Sequence, residues 1–417
     1  MTAVVVAIFT LTYVLIAFRR LRFLPIGRAA GALLGATLMV VSGAITPAES
    51  YHAIDGDTIV LLLAMMLLTA ELELTGFFVW AAARVLRRAH SPRALLVMVA
   101  VGAAVGSAFL VNDTVCLFMT PVVVATCRHA KLPMGPYLIV LATSANLGSA
   151  ATLVGNPQNM LIGSMSGISF GSFMLAVAPV VAIALGAQLM LALGFYRKVL
   201  PATFGGSDDV EAGVVAAPMP AGVLRILFVF VVVVVAFFAG AHLGYAAMAG
   251  AVAVMIINRR DPQPTFLRVD WTLLLFFAGL FIVTGALRVT GLVDALWQDV
   301  APALRLDAPG GIAVFTGVMT AGSNLVSNVP MVVLTGPYLH TVGDAAFGYT
   351  LLAYVTTVAG NLTLVGSVAN IIVAERAREH YHLGFIEYLR FGAVSTVLAL
   401  AIGVPLLTLW APVALAL

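Results

Sequence analysis

The chain has 417 residues, of which 62% are hydrophobic and 9% charged, with a formal net charge of +3. A soluble domain carries about a quarter charged residues, so this composition excludes a soluble enzyme or binding module and places the chain in a bilayer. The positive balance is not a nucleic-acid signal, because the basic residues cluster in the loops between apolar runs.

In chain order, apolar runs of about 20 residues, enough to cross a hydrocarbon core, start near positions 1, 26, 58, 135, 169, 222, 242, 270, 346 and 389. The first, Met1 to Phe18, is followed by Arg19, Arg20 and Arg22 and lacks a polar cleavage region, so it reads as a retained span rather than a signal peptide. Placing the basic loops in the cytoplasm leaves only Arg288 and Arg305 of the 21 basic residues outside, and predicts both termini outside. The expected location is the inner (plasma) membrane of a prokaryote, with the lipid bilayer as obligate partner. In the third span Glu71 and Glu73 precede Thr75-Gly76, where a structural or vestibule role fits best.

That orientation holds only if two further apolar stretches enter the membrane and return. One lies at about 94–127 around Val111-Asn112-Asp113-Thr114, the other at about 309–340 around Ser327-Asn328-Val329; each reads as a re-entrant helical hairpin with a polar tip. The stretch Ser144 to Asn159 contains Asn146, Gly148, Thr152, Gly155, Pro157 and Asn159 and reads as a discontinuous helix broken at Gly155 and Pro157. Gly360 to Asn370, with Asn361, Thr363 and Gly366, reads as its partner.

These elements repeat. Thr152-Leu-Val-Gly155 returns as Thr363-Leu-Val-Gly366, and Asp55, Thr75-Gly76 and Asn112 return as Asp270, Thr290-Gly291 and Asn328. The predicted fold is therefore an all-α polytopic membrane protein. Residues 1–196 and 222–417 form two five-span halves, each with one hairpin and one discontinuous helix, giving about ten spans and two hairpins. Residues 197–221 form a polar cytoplasmic linker containing Gly205-Gly206, Asp208, Asp209 and Glu211. An odd number of crossings per half inverts the second, which is transporter architecture.

Asp113 is the candidate proton-coupling group, since an ionisable side chain inside a membrane is expensive unless it is paired, hydrated or protonated. No Lys or Arg is expected at its depth, and helix capping is the bland alternative role. Asn112, Thr114, Asn146, Thr152, Asn159, Ser327, Asn328, Asn361 and Thr363 are the candidate substrate-binding residues, with Gly155, Pro157 and Gly366 opening the helices. Cys116 and Cys127 show no metal-ligand spacing, and no nucleotide or hydrolase motif is present, so neither a metal nor another cofactor is expected.

At Asn112-Asp113-Thr114 with Pro121, at Gly155-Asn-Pro-Gln-Asn159 and at Ser327-Asn328-Val-Pro330, the chain resembles the ion transporter superfamily. That group includes arsenite efflux permeases, NhaD-type antiporters, citrate transporters and divalent anion symporters. The resemblance implies a scaffold and a mobile transport unit, with substrate held between hairpin tips and broken helices. Symporters of this group carry Ser-Asn-Thr at both tips, whereas here only the asparagine is kept in both. Asn-Asp at the first tip looks more like the arsenite permeases, whose solute is uncharged at neutral pH. The expected function is thus proton-coupled efflux of arsenite or antimonite by alternating access. Sodium- or proton-coupled transport of inorganic or carboxylate anions is the rival reading, and a membrane-anchoring or conducting subunit for a soluble ATPase is a third. A second copy of the chain, or such an ATPase, are the protein partners left open.

Overall fold

The computed structural model describes residues 1–17, 27–86, 88–204 and 219–416, apart from the side chains at 83, 85 and 86. Arg19, Arg20, Arg22 and the acidic part of the predicted linker lie outside the described residues.

The first half consists of α1 (Thr2–Ala17), α2 (Arg28–Val41), α3 (Pro47–Ala53), α4 (Gly56–Leu74), α5 (Phe77–Leu86), α6 (Pro92–Phe109), α7 (Asn112–His129), α8 (Met134–Ser149), α9 (Pro157–Ser166) and α10 (Phe170–Phe195). The second consists of α11 (Val223–Phe238), α12 (Leu243–Asn258), α13 (Gln263–Phe266), α14 (Trp271–Val289), α15 (Leu292–Val300), α16 (Pro309–Val326), α17 (Asn328–Thr335), α18 (Ala345–Ala359), α19 (Val368–Ala377) and α20 (Phe385–Leu415). Each helix of the first half thus has a successor ten places later, and no strand occurs among the described residues.

The local chemistry repeats with the element order. Asp55 and Asp270 cap α4 and α14 by accepting from the N–H of Thr58 (2.7 Å) and Leu273 (3.0 Å). Those helices end alike, with the Thr75 and Thr290 hydroxyls donating back to Leu72 and Leu287, followed by Gly76 and Gly291 at φ 81° and 71°. Asn159 donates to the Thr152 carbonyl at 2.9 Å, as Asn370 does to that of Thr363 at 3.1 Å. Packing between the halves is reciprocal: α2 lies on α14 as α12 lies on α4, α7 on α19 as α17 on α9, and α8 on α20 as α18 on α10. Reciprocal contacts of this kind are what a two-fold relation between halves produces.

Four helices, α6, α10, α14 and α20, are long and apolar enough to cross a membrane, or five spans if α3 and α4, bent by 54°, count as one. Helix length and composition alone thus single out fewer spans than the ten expected from hydropathy. α1, α2, α11, α12 and α18 are apolar helices of only 10–17 residues, and α6 reaches spanning length although its sequence was assigned to a re-entrant arm. The turns at Ser42-Gly43 and Ala239-Gly240 stop α2 and α11 inside their apolar runs. The hairpin geometry itself is clear: α6 and α7 double back at Leu110-Val111, bringing Gly106 against Val115 and Gly102 against Met119. α16 and α17 double back at Ser327, bringing Gly322 against Met331.

The first discontinuous helix breaks earlier than its sequence suggests. α8 stops at Ser149, ahead of Gly155, and Pro157 opens α9 at its first helical position, where a missing N–H costs nothing. Gly155 matters for close approach instead. A Cβ there would sit 2.2 Å from the Ser149 carbonyl oxygen, and its own carbonyl accepts from the Asn112 N–H at 3.0 Å, joining the broken helix to the hairpin tip.

Candidate functional site

Four helices begin at one place. A cavity of about 180 Å³ is walled by Asn112 and Asp113 from the start of α7, Pro157 and Gln158 from α9, Ser327 and Asn328 at α17, and Ser367 and Val368 at α19. Asp270, Thr272, Leu273, Phe276 and Phe277 of the α14 region and Arg28 and Ala29 of α2 close the other side. Helix starts concentrate free N–H donors and a partial positive charge of about half an elementary unit each. α9 has a capping side chain, Asn156, bonded to the Asn159 N–H at 2.9 Å, and the first N–H groups of α7 go to the Gly155 carbonyl and to Asn112 Oδ1, but no side chain caps α17 or α19. Such convergent, uncapped starts suit an anion or a solute rich in hydroxyl oxygens.

Behind the tips lies a buried amide network. Asn112 Nδ2 donates to Asn146 Oδ1 at 2.9 Å, and the Ser367 hydroxyl donates to the same oxygen at 3.0 Å. Asn146 Nδ2 in turn donates to Asn361 Oδ1 (2.8 Å) and Asn370 Oδ1 (2.9 Å). Asn361 donates to the Thr143 carbonyl, and Asn370 also to that of Gly360. One residue of α8 therefore ties the first hairpin tip to the second broken helix, where unsatisfied amides would be expensive.

Of the expected substrate contacts, Asn112, Ser327 and Asn328 line this cavity, with Asp113 and Pro157 beside them. Thr114 lines an adjoining cavity of about 280 Å³ together with Asp113, Glu73, Arg268 and Asp270. Asn146, Thr152, Asn159, Asn361 and Thr363 are not on the cavity wall. Their side chains are spent on protein partners: Thr152 on the Ala108 carbonyl, Thr363 on Asn324 Oδ1 at 3.2 Å, and the amides as described. Gly366 lies against Asn324 and the Gly360 carbonyl at the second break, not at the wall.

The expectation that no cation shares the depth of Asp113 is corrected, because Arg28 stands on the same wall and Asp270 beside it, both within electrostatic reach. The Asp113 carboxyl itself makes no hydrogen bond or ion pair among the described residues, and α7 has no side-chain cap, so capping does not account for it. Asn328 Oδ1 and Arg28 Nε are buried without a partner, and Asn328 is only 8% exposed. Glu71 is engaged structurally, accepting from Asn258 and Thr265 at 2.7 Å each, while Glu73 pairs with Arg268 at 3.0 Å. Sequence reasoning missed Arg28, Asp270, Gln158 and Ser367 as wall residues. Asp270 was marked only by its echo of Asp55, and the other signal, polar residues flanking a helix break, was present for Gln158 and Ser367.

Ser327 adopts φ 78°, ψ 159°, a backbone region that is almost exclusive to glycine and costs about 1–3 kcal/mol in other residues. Ser327→Gly is therefore expected to raise the thermal midpoint, by about 1 kcal/mol of added stability, while solute affinity falls with the lost hydroxyl. A melting curve in detergent checks the first and a binding isotherm the second; an unchanged or lower midpoint counts against strain at this tip.

Comparison with known proteins gives consistent matches. The family described as "Citrate transporter" (CitMHS) matches residues 13–359. The "Silicon efflux transporter LSI3" of Oryza sativa subsp. japonica is 34% identical, with 96% of each chain covered. A Dictyostelium discoideum protein provisionally named transporter arsB is 30% identical over 93% of this chain and 88% of its own. Among solved structures, Neisseria gonorrhoeae MtrF, titled as illuminating a class of antimetabolite efflux pumps, shares the fold at a TM-score of 0.58. It does so at 12% identity, covering 98% of this chain and 94% of its own.

Proposed function

Because the chain belongs to the citrate transporter (CitMHS) family and is a multi-pass membrane transporter rather than an enzyme, we propose that it exports a small uncharged inorganic hydroxy-acid against protons. Arsenous, antimonous and silicic acids share this chemistry: three or four hydroxyls that both donate and accept, and no net charge near neutral pH. The observation that carries the reading is the cavity itself. Its wall sets the amides of Asn112, Gln158 and Asn328 and the hydroxyls of Ser327 and Ser367 around one space, a lining suited to a small polyhydroxy solute. The N–H groups that start α17 and α19 supply donors, with the one N–H of the Gln158 amide that Thr357 does not take; Asn328 Oδ1, buried and unpartnered, supplies an acceptor. Asp113 and Asp270 on the wall repel a polyanion, which argues against citrate despite the family's description. The rice relative's name, silicon efflux, supports the same solute class.

Asp113 is the coupling carboxyl in this reading. The proton gradient is the driving force, and the two-fold-related halves exchange inward- and outward-open states with both termini outside. A second reading, export of a small monoanion, is favoured by Arg28 and the convergent helix starts. Uptake of arsenite, antimonite or silicic acid into inverted vesicles containing the purified chain, with an imposed pH gradient, tests the proposal. Accumulation should collapse when the gradient is dissipated and should be insensitive to excess citrate. Sodium-dependent, citrate-inhibited uptake would replace this reading with the anion carrier.

A further inference from the structure

Among the contacts in which the two halves differ, one lies at the cavities. In the first, α4 packs on α9, and the Ser164 hydroxyl donates to both carboxylate oxygens of Asp55, at 2.8 and 3.1 Å. In the second, the corresponding helices α14 and α19 pack far less and face each other across the two cavities, and α14 rests on α17 as well. Asp55 and Asp270 hold the same cap position, and Ser164 and Glu375 are both the eighth residue of matching ten-residue helices. When halves related by a two-fold exchange conformations, the closed contact of one becomes the closed contact of the other.

Resting on the alternating-access reading above, we propose that Asp270 and Glu375 meet in the oppositely facing state as a carboxyl pair that holds one proton, a second proton site placed at the gate. Where the first half closes with a hydroxyl that always has a hydrogen to donate, the second has two carboxyls. They can bond only when one of them carries a proton. Closing this gate over the solute cavity therefore takes up a proton from solution, and opening releases it. The charges facing Asp270 are Arg28 of α2, Asp113 of α7, Glu73 of α4 and Arg268 of its own approach. Those near Glu375 are Arg376 of its own helix and Arg378, Glu379 and His380 just past its end, with Arg128 and His129 at the end of α7, which packs on α19; α8, also packed there, brings only Tyr137.

Two measurements separate this proposal from the reading beneath it. The double variant Asp270→Cys/Glu375→Cys should form a disulfide under mild oxidant, reporting that the opposite state exists. The labelling rate of Thr272→Cys, on the cavity wall, by a membrane-impermeant maleimide, divided by that of a free cysteine peptide at the same pH so that thiol ionisation cancels, should fall about tenfold from pH 8 to pH 5, the scale of one unit of coupling between carboxyls. The native Cys116 and Cys127 are buried and contribute little background. Adding Glu375→Ser, which recreates the hydroxyl of the first half, should remove that dependence, and because Asp113 is retained the difference belongs to the pair. A disulfide with pH-independent labelling, or labelling unaffected by Glu375→Ser, overturns the carboxyl pair and leaves alternating access standing. Failure of the disulfide to form overturns both.

Discussion

Asp113→Asn should abolish solute accumulation driven by a pH gradient, lowering the rate by roughly a hundredfold or more, the scale on which a positioned proton carrier acts. The exchange is nearly isosteric, so the cavity keeps its shape, and it removes a charge that has no hydrogen-bond partner among the described residues. Solute exchange down its own gradient should persist, and the melting temperature should not fall, because a neutral amide is cheaper than a carboxylate in this setting. Counterflow and gradient-driven uptake in the same vesicles separate the two effects. Gradient-driven uptake at the parental rate would remove Asp113 from the coupling mechanism.

The second large effect is expected at Asn146. Its amide accepts from Asn112 and Ser367 and donates to Asn361 and Asn370, all buried. Leucine has a similar volume but none of these bonds, so Asn146→Leu strands several polar groups at once. At about 1–3 kcal/mol for each unsatisfied buried group, and with some relaxation, the loss should be about 3–5 kcal/mol. Thermal unfolding in detergent should show a drop of about three to six degrees, or loss of the folded protein. Asn146→Asp, which keeps both acceptor positions, should lose the bonds to Asn361 and Asn370 while sparing those from Asn112 and Ser367. Near-parental stability of the leucine variant would mean that the network is not what holds tip and broken helix together.

Much of this arrangement is legible in the sequence because polar residues inside apolar runs have few explanations. Asn112, Asn328 and the Thr-Leu-Val-Gly repeat mark where helices stop, and the structure starts α7 and α17 at those asparagines. The same logic could not say which way each amide points. Asn146 and Asn361 look like cavity residues in the sequence, yet they satisfy one another across 215 positions of chain, a pairing set by tertiary packing alone. Arg28 and Asp270 were hidden for the opposite reason. Charges at the end of an apolar run signal orientation, and nothing local indicates that two such ends will be folded against a hairpin tip. Helix ends were hidden because hydropathy continues through Ser42 to Ile45 and through Ala150 to Asn156, where the backbone bonds turn from helix to turns.

The brevity of α2, α11 and α12 has a consequence for the surrounding lipid. With 14, 16 and 16 residues at a rise of about 1.5 Å, they measure only about 21–24 Å, against a hydrocarbon core of about 30 Å. Their outward side chains, among them Leu33, Phe228, Val231 and Val252, are exposed and must be met by acyl chains. Thinning of a bilayer around such a rim costs fractions of a kcal/mol per Å, and a thinner bilayer shortens the distance over which a solute must be carried. Acyl-chain length thus becomes a control on the transport cycle, with short-chain lipids relieving the strain that long-chain lipids impose.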